Sequence, residues 1–93
     1  MNEPLLATEV RRLARAIVAT GTVIYTSHAL EEMAQDKLTK ADVEGVLRGG
    51  SAGEGEWEHG SWRYQMWTRG IVIVIAFRSE SVLVLVTAWR KRR

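Results

Sequence analysis

Cysteine is absent from the 93-residue sequence. That alone excludes a disulfide framework, a thiolate zinc site and a cysteine nucleophile. Proline occurs once, so no proline-rich linker or low-complexity spacer is present. Long apolar runs are missing too. The longest, Ile71 to Phe77, is seven residues, far short of the roughly 20 that span a bilayer. A second run, Val82 to Val86, is cut off from it by Arg78 and Glu80. Arg11, Arg12 and Arg15 interrupt what would be the apolar segment of a signal peptide. There is no P-loop, dinucleotide glycine fingerprint, nucleophile elbow or zincin helix. These absences predict a cytoplasmic protein with no membrane partner, no cofactor and no metal. The length predicts one domain over residues 1–93.

What is present is unevenly charged. Residues 1–59 carry six Lys/Arg against ten Asp/Glu, a net −4. Residues 60–93 carry seven against one, a net +6. Ten of the thirteen basic residues are arginine, whose planar fork suits phosphate and stacks on bases. The asymmetry points either to a polyanionic partner or to two halves that attract each other within the fold.

Hydrophobic periodicity organises the chain into helices followed by strands. A helix is predicted from about Pro4 to Ala19, with Leu6, Val10, Leu13 and Ile17 as its inner stripe. Thr22–Tyr25 is a short β-prone stretch, and Thr26-Ser27 offers a cap for a helix from His28 to about Gln35, burying Leu30 and Met33. Thr39 and Asp42 have capping-box spacing and open a third helix, Lys40 to Arg48, ended by Gly49-Gly50. Gly49 to Gly55 reads as a flexible loop, and Trp57-Glu58-His59 as a ragged edge strand. Three strands follow, Trp62–Thr68, Ile71–Phe77 and Val82–Trp89, then the basic tail Arg90-Lys91-Arg92-Arg93. The fold class is α+β, with N-terminal helices packed on a C-terminal antiparallel sheet of three to four strands.

Alternation in the first of these strands puts Trp62, Tyr64 and Met66 on one face and Arg63, Gln65 and Trp67 on the other. The last two strands are apolar on both faces: Val82, Val84, Val86 and Ala88 oppose Leu83, Leu85 and Trp89. An antiparallel sheet with one wet face alternates apolar with polar. Either helices cover both faces here, or one face docks a partner.

Two constellations carry chemistry. His28 falls in the first turn of a helix, where the positive helix end keeps an imidazole neutral and able to relay a proton. A structural role at the strand–helix junction is the competing reading. Arg63, Gln65 and Trp67 share a strand face, with Arg78 and Arg90 at the ends of neighbouring strands. Arginine interleaved with aromatics is what single-stranded RNA binding uses; the alternative is that the tryptophans are core or interface anchors. His59, among Glu54, Glu56 and Glu58, reads as part of a solvated acidic loop.

Ser27-His28-Ala29-Leu30-Glu31-Glu32-Met33, Leu38-Thr39-Lys40-Ala41-Asp42-Val43, Val46-Leu47-Arg48-Gly49-Gly50 and the closing Val86-Thr87-Ala88-Trp89-Arg90 together resemble a bacterial and archaeal family of small domains of unknown function. The family opens on Ser-x-His-Ala, places a Met five residues after the His, and stops a helix with Leu-x-x-Gly. The resemblance covers about residues 22–90. Glu32 stands where the family usually has Arg before the Met, and Asp36-Lys37 replaces its usual Arg-Gly connector. The order of helices then β-meander is also similar to RelE-type and motility quorum-sensing regulator toxins, mRNA endonucleases that pair with an antitoxin.

Two functions follow from these readings. The first is a small RNA-binding, metal-independent endoribonuclease of a toxin–antitoxin pair. Arg63, Arg78 and Arg90 would hold phosphate charge, Tyr64 or His28 would move the proton, and Gln65, Trp67, Lys91 and Arg92 would bind substrate. Tyr64 and Arg63 face opposite sides of one strand, so they share a pocket only if a bulge intervenes. The second is a non-catalytic module that dimerises or binds a protein through its apolar sheet.

Overall fold

A computed structural model describes residues 1–92; Arg93, the end of the basic tail, lies outside the described residues. Three helices pack on one side of a six-stranded sheet. Helix α1 (Ala7–Thr20) buries Val10, Ala14 and Ile17. It starts later than the expected Pro4, and its cap residue Leu6 points outward. The segment before it is engaged elsewhere, because Leu5 N–H donates to the Tyr64 hydroxyl at 3.0 Å.

After strand β1 (Thr22–Tyr25), helix α2 (Ser27–Gln35) is capped by Thr26, whose Oγ1 accepts from Ala29 N–H at 3.0 Å. It buries Ala29 and Met33, while Leu30, expected inside, is 44% exposed. Only a narrow stripe of this short helix reaches the sheet, and Leu30 lies beside that stripe. Helix α3 (Lys40–Gly49) carries the expected capping box: Asp42 N–H donates to Thr39 Oγ1 at 3.1 Å, and Thr39 N–H to Asp42 Oδ2 at 2.8 Å. Val43, Val46 and Leu47 form its buried face.

The strands that follow are β2 (Ser51–Ala52), β3 (Glu56–Glu58), β4 (Ser61–Trp67), β5 (Ile71–Phe77) and β6 (Val82–Arg90). Their order is β1-β6-β5-β4-β2, with β3 also paired to β4. The sheet is therefore larger than the expected three to four strands and not wholly antiparallel, since β1 runs parallel to β6. The strands beyond the expected count are Thr22–Tyr25, which the sequence marks only as a β-prone stretch, and Ser51–Ala52, which falls within the expected flexible loop.

Tyr64, Met66, Ile73, Ile75, Leu83, Leu85 and Ala88 face the helices and form the core with them. One irregularity resets this pattern. Val74 pairs with Thr87 but Ile75 pairs with Leu85, leaving Val86 as an extra residue in β6. The Thr26 hydroxyl lies 3.2 Å from Leu85 O and 3.3 Å from Val86 O, so a single side chain caps α2 and serves the carbonyls at the bulge. Beyond the bulge the alternation is reversed. Ala88 joins Leu83 and Leu85 inside, instead of sharing a face with Val82 and Val84 as strict alternation predicts.

Candidate functional site

The sheet has a helix-free face, and three rows of residues cross it. Trp67, Val72 and Trp89 are in register on β4, β5 and β6, so Val72 is shielded between two indoles and only 9% exposed. Gln65, Val74 and Thr87 form the next row. Ala76, Val84 and Ile24 form the third, extending onto β1.

Arg63 stands on this face and is half-buried. Its Nε is fully buried with no hydrogen-bond partner. Glu56 lies directly opposite it on β3, yet no ion pair closes between them. Among the described residues, basic and acidic side chains come within 4 Å only at His28–Glu32 and Arg92–Asp36. Arg63 and Arg78 thus have no carboxylate partner among these residues. Both open into a hollow of about 430 Å³, shared with His59, Ser61, Ala76 and Val84. A smaller depression of about 90 Å³ adjoins it, between Arg63, Gln65, Glu56 and Glu58.

His59 reaches this hollow because of the β3–β4 turn. With Glu58 and Ser61 ending the two strands, His59 (φ 49°) and Gly60 (φ 80°) form a two-residue loop with both φ positive. That is the type I′ hairpin geometry whose twist matches the strands. A non-glycine residue with positive φ is uncommon, though His is among the enriched types. The sequence predicts His59 within a solvated acidic loop. The signal that could have placed it was the X-Gly pair between Trp57-Glu58 and Ser61-Trp62, two residues between two β-prone runs.

The expected site residues divide into three groups. Arg63, Gln65, Trp67 and Arg78 come together on the helix-free face. Tyr64 is on the other side of β4 and wholly buried; the bulge that could have joined it to Arg63 occurs in β6 instead. Its hydroxyl accepts from Leu5 N–H and donates to Glu3 Oε2 at 2.8 Å. Burial, with Glu3 beside it, pushes the Tyr64 pKa up to about 12.

The third group lies away from both. His28 is exposed on α2, with Nε2 3.7 Å from Glu32 Oε1, and the cap beside it is Thr26. Arg90 is turned toward the end of α2 by the bulge: its Nε donates to Asp36 O at 2.8 Å and its Nη2 to Lys37 O at 3.1 Å. Cations at a helix C-terminus satisfy its last carbonyls and its dipole. Asp36 Oδ2 accepts from Arg90 N–H at 2.8 Å, and Asp36 Oδ1 from Arg92 Nη2 at 2.7 Å. The Arg90 backbone N–H first, and Arg92 after it, hold the Asp36 carboxyl below the usual carboxylate range. Lys37, in the position of the family's usual connector glycine, has φ 55°. Lys91 is exposed, its N–H bonded to Gly70 O.

No cluster of three or more metal-ligating side chains occurs among the described residues. No helix among them is long and apolar enough to cross a membrane. Neither a curated protein nor a solved structure matches the chain. Residues 25–90 match a family described as a domain of unknown function, DUF4258, and with most of its length so covered the chain belongs to that family.

Proposed function

We propose that the chain binds single-stranded RNA on the helix-free face of its sheet and cleaves it without a metal, as a toxin-type endoribonuclease. The observation that carries this reading is the meeting of Arg63, Arg78 and His59 in one hollow, with no carboxylate paired to either arginine among the described residues. The similarity of the helix-then-meander order to RelE-type toxins agrees with it, and an antitoxin would be the natural protein partner.

The chemistry is intramolecular. A ribose 2′-oxygen attacks the adjacent phosphorus, its proton passes to a base, and the 5′-oxygen leaves with a proton, giving a 2′,3′-cyclic phosphate. Arg63 and Arg78 would stabilise the extra negative charge on the pentavalent phosphorus. His59 would move the proton, as imidazole does near neutral pH. Gln65 and Trp67, on the same strand face, would hold and stack the neighbouring base. Tyr64, His28, Arg90 and Arg92 have no part in this reading, since each is directed elsewhere.

A second reading rests on a separate observation. The Trp67–Val72–Trp89 row and the 41% exposed Ile24 give this face apolar areas on either side of the Gln65–Val74–Thr87 row. Apolar exposure of this kind marks protein-binding surfaces, which fits a non-catalytic module.

Labelled single-stranded RNA separates the two. RNA binding should weaken steeply with salt, and each of Arg63→Ala and Arg78→Ala should lower the log–log slope by about 0.7. His59→Ala should abolish cleavage and keep binding, a 2′-deoxy substitution at the cut site should do the same, and EDTA should change nothing. A flat salt response, or arginine variants that bind as the parent does, would remove RNA and leave the interaction module.

A further inference from the structure

Strand β1 pairs with β6 on one side and ends the sheet on the other. In a parallel ladder, alternate residues turn both N–H and C=O to the neighbouring strand. Thr22 N–H donates to Ser81 O at 2.8 Å and Thr26 N–H to Leu85 O at 3.4 Å. Thr22, Ile24 and Thr26 are therefore the residues bonded to β6. Val23 and Tyr25, between them, direct their N–H and C=O groups away from the sheet.

An unpaired strand edge is a template for another strand, and proteins ordinarily blunt it with shortness, charge, proline, a bulge or a covering element. Thr22-Val23-Ile24-Tyr25 is short, which keeps any pairing weak, but it carries no charge, proline or bulge. Its composition is β-branched and aromatic, the kind most favourable to pairing.

We propose that β1 pairs antiparallel with β1 of a second copy, about a two-fold axis at Ile24. The edge is self-complementary in that register. Val23 lies opposite the partner subunit's Tyr25, and Tyr25 opposite the partner subunit's Val23, each pair exchanging both of its backbone hydrogen bonds. A β-branched residue across from an aromatic is a favourable cross-strand pair, and only self-pairing forms it twice. Ile24, 41% exposed on the helix-free face, then meets its own copy as the close, non-hydrogen-bonded pair. The contact is isologous and closes at two copies. Its length places it among weak, reversible interfaces. This proposal does not depend on RNA binding, and it leaves both helix-free faces open on one side of a joined sheet.

Hydrogen exchange by NMR on the full chain, across a hundredfold range of concentration, tests it. Val23 and Tyr25 amides should exchange more slowly as concentration rises, while Ile24, bonded to β6, stays protected throughout. Light scattering should report dimer growth over the same range. Ile24→Lys, which sets like charges across the axis in place of an apolar pair, should weaken self-association by about fivefold. Val23→Pro removes an outward N–H, which an edge strand tolerates, and should yield a folded monomer. Should Val23→Pro fail to fold, Ile24→Lys and the exchange pattern decide. A monomer at every concentration overturns the proposal, and so does a dimer in which Val23 and Tyr25 exchange is unchanged.

Discussion

Replacing Tyr64 by Phe removes one oxygen from the interior and leaves the ring. The side chain is fully buried, and its ring packs at 50° to Phe77 with centroids 5.7 Å apart, a contact that Phe preserves. The ring has little freedom to shift, since a Cβ on Gly55 would come within 2.7 Å of Tyr64 Cε1. The oxygen is the acceptor for Leu5 N–H and the donor to Glu3 Oε2. Glu3 is half-buried and can turn to water. Leu5 N–H, on a buried residue, cannot do so as readily, and an orphaned buried donor costs about 1–3 kcal/mol.

Taking about 2 kcal/mol as the centre, and about 4–8 °C per kcal/mol for a domain of this size, the midpoint should fall by about 8–16 °C. Circular dichroism melting at neutral pH measures it. RNA binding and cleavage per folded molecule, assayed well below the midpoint, should match the parent. The strand parity that separates Tyr64 from Arg63 requires this split. A variant with the parent's midpoint and no cleavage would refute the reasoning, because the hydroxyl would then be serving chemistry and not the N-terminal segment.

Thr26→Ala should cost at least the roughly 0.5–2 kcal/mol of a lost helix cap, because the same hydroxyl also serves the bulge carbonyls; His28→Ala, on an exposed side chain, should stay within about 0.5 kcal/mol by the same melts. Asp36 has a lowered folded-state pKa, so its stabilisation is complete above about pH 4 and is lost as pH falls through the lowered value. Thermal midpoints from neutral pH into this acid range should fall more steeply for the parent than for Asp36→Asn. Gly45 is exposed inside α3, and a Cβ there meets nothing within 4 Å, so Gly45→Ala should stabilise by about 0.5–1 kcal/mol in chemical denaturation.

The helices, the capping box and the three long strands were legible in the sequence because each follows from local pattern: apolar spacing, Thr39 with Asp42, alternation in Trp62 to Trp67. Two of the short strands also showed, Thr22–Tyr25 as a β-prone stretch and Glu56–Glu58 one residue off, as an edge strand over Trp57-Glu58-His59. Ser51-Ala52, expected within a flexible loop, is a strand because β4 lies beside it, and no window of two residues carries that information. The grouping of Arg63, Gln65 and Trp67 was legible from alternation alone. That Arg90 turns away from them was not, since one unpaired residue in β6 reverses the parity after it. His28 drew attention through its helix position and His59 did not, because its placement depends on a hairpin turn whose first strand is only three residues long.

The unpaired Val86 also marks a place where β6 can be shortened without changing the sides of the residues that follow. Deleting Val86 would join Leu85 to Thr87 in plain alternation, keep Val74 opposite Thr87 and Ile75 opposite Leu85, and leave the Trp89 indole on the helix-free face and the Arg90 guanidinium at the end of α2. Asp36 would keep its partners, and the loss would fall on the Thr26 hydroxyl, which now has the Val86 carbonyl at 3.3 Å. A single-codon deletion there would only take up slack, whereas one residue inserted after Thr87 would act as a switch of sidedness, turning Trp89 toward the helices, where Ala88 now fits with no exposed surface, and Arg90 toward the opposite surface.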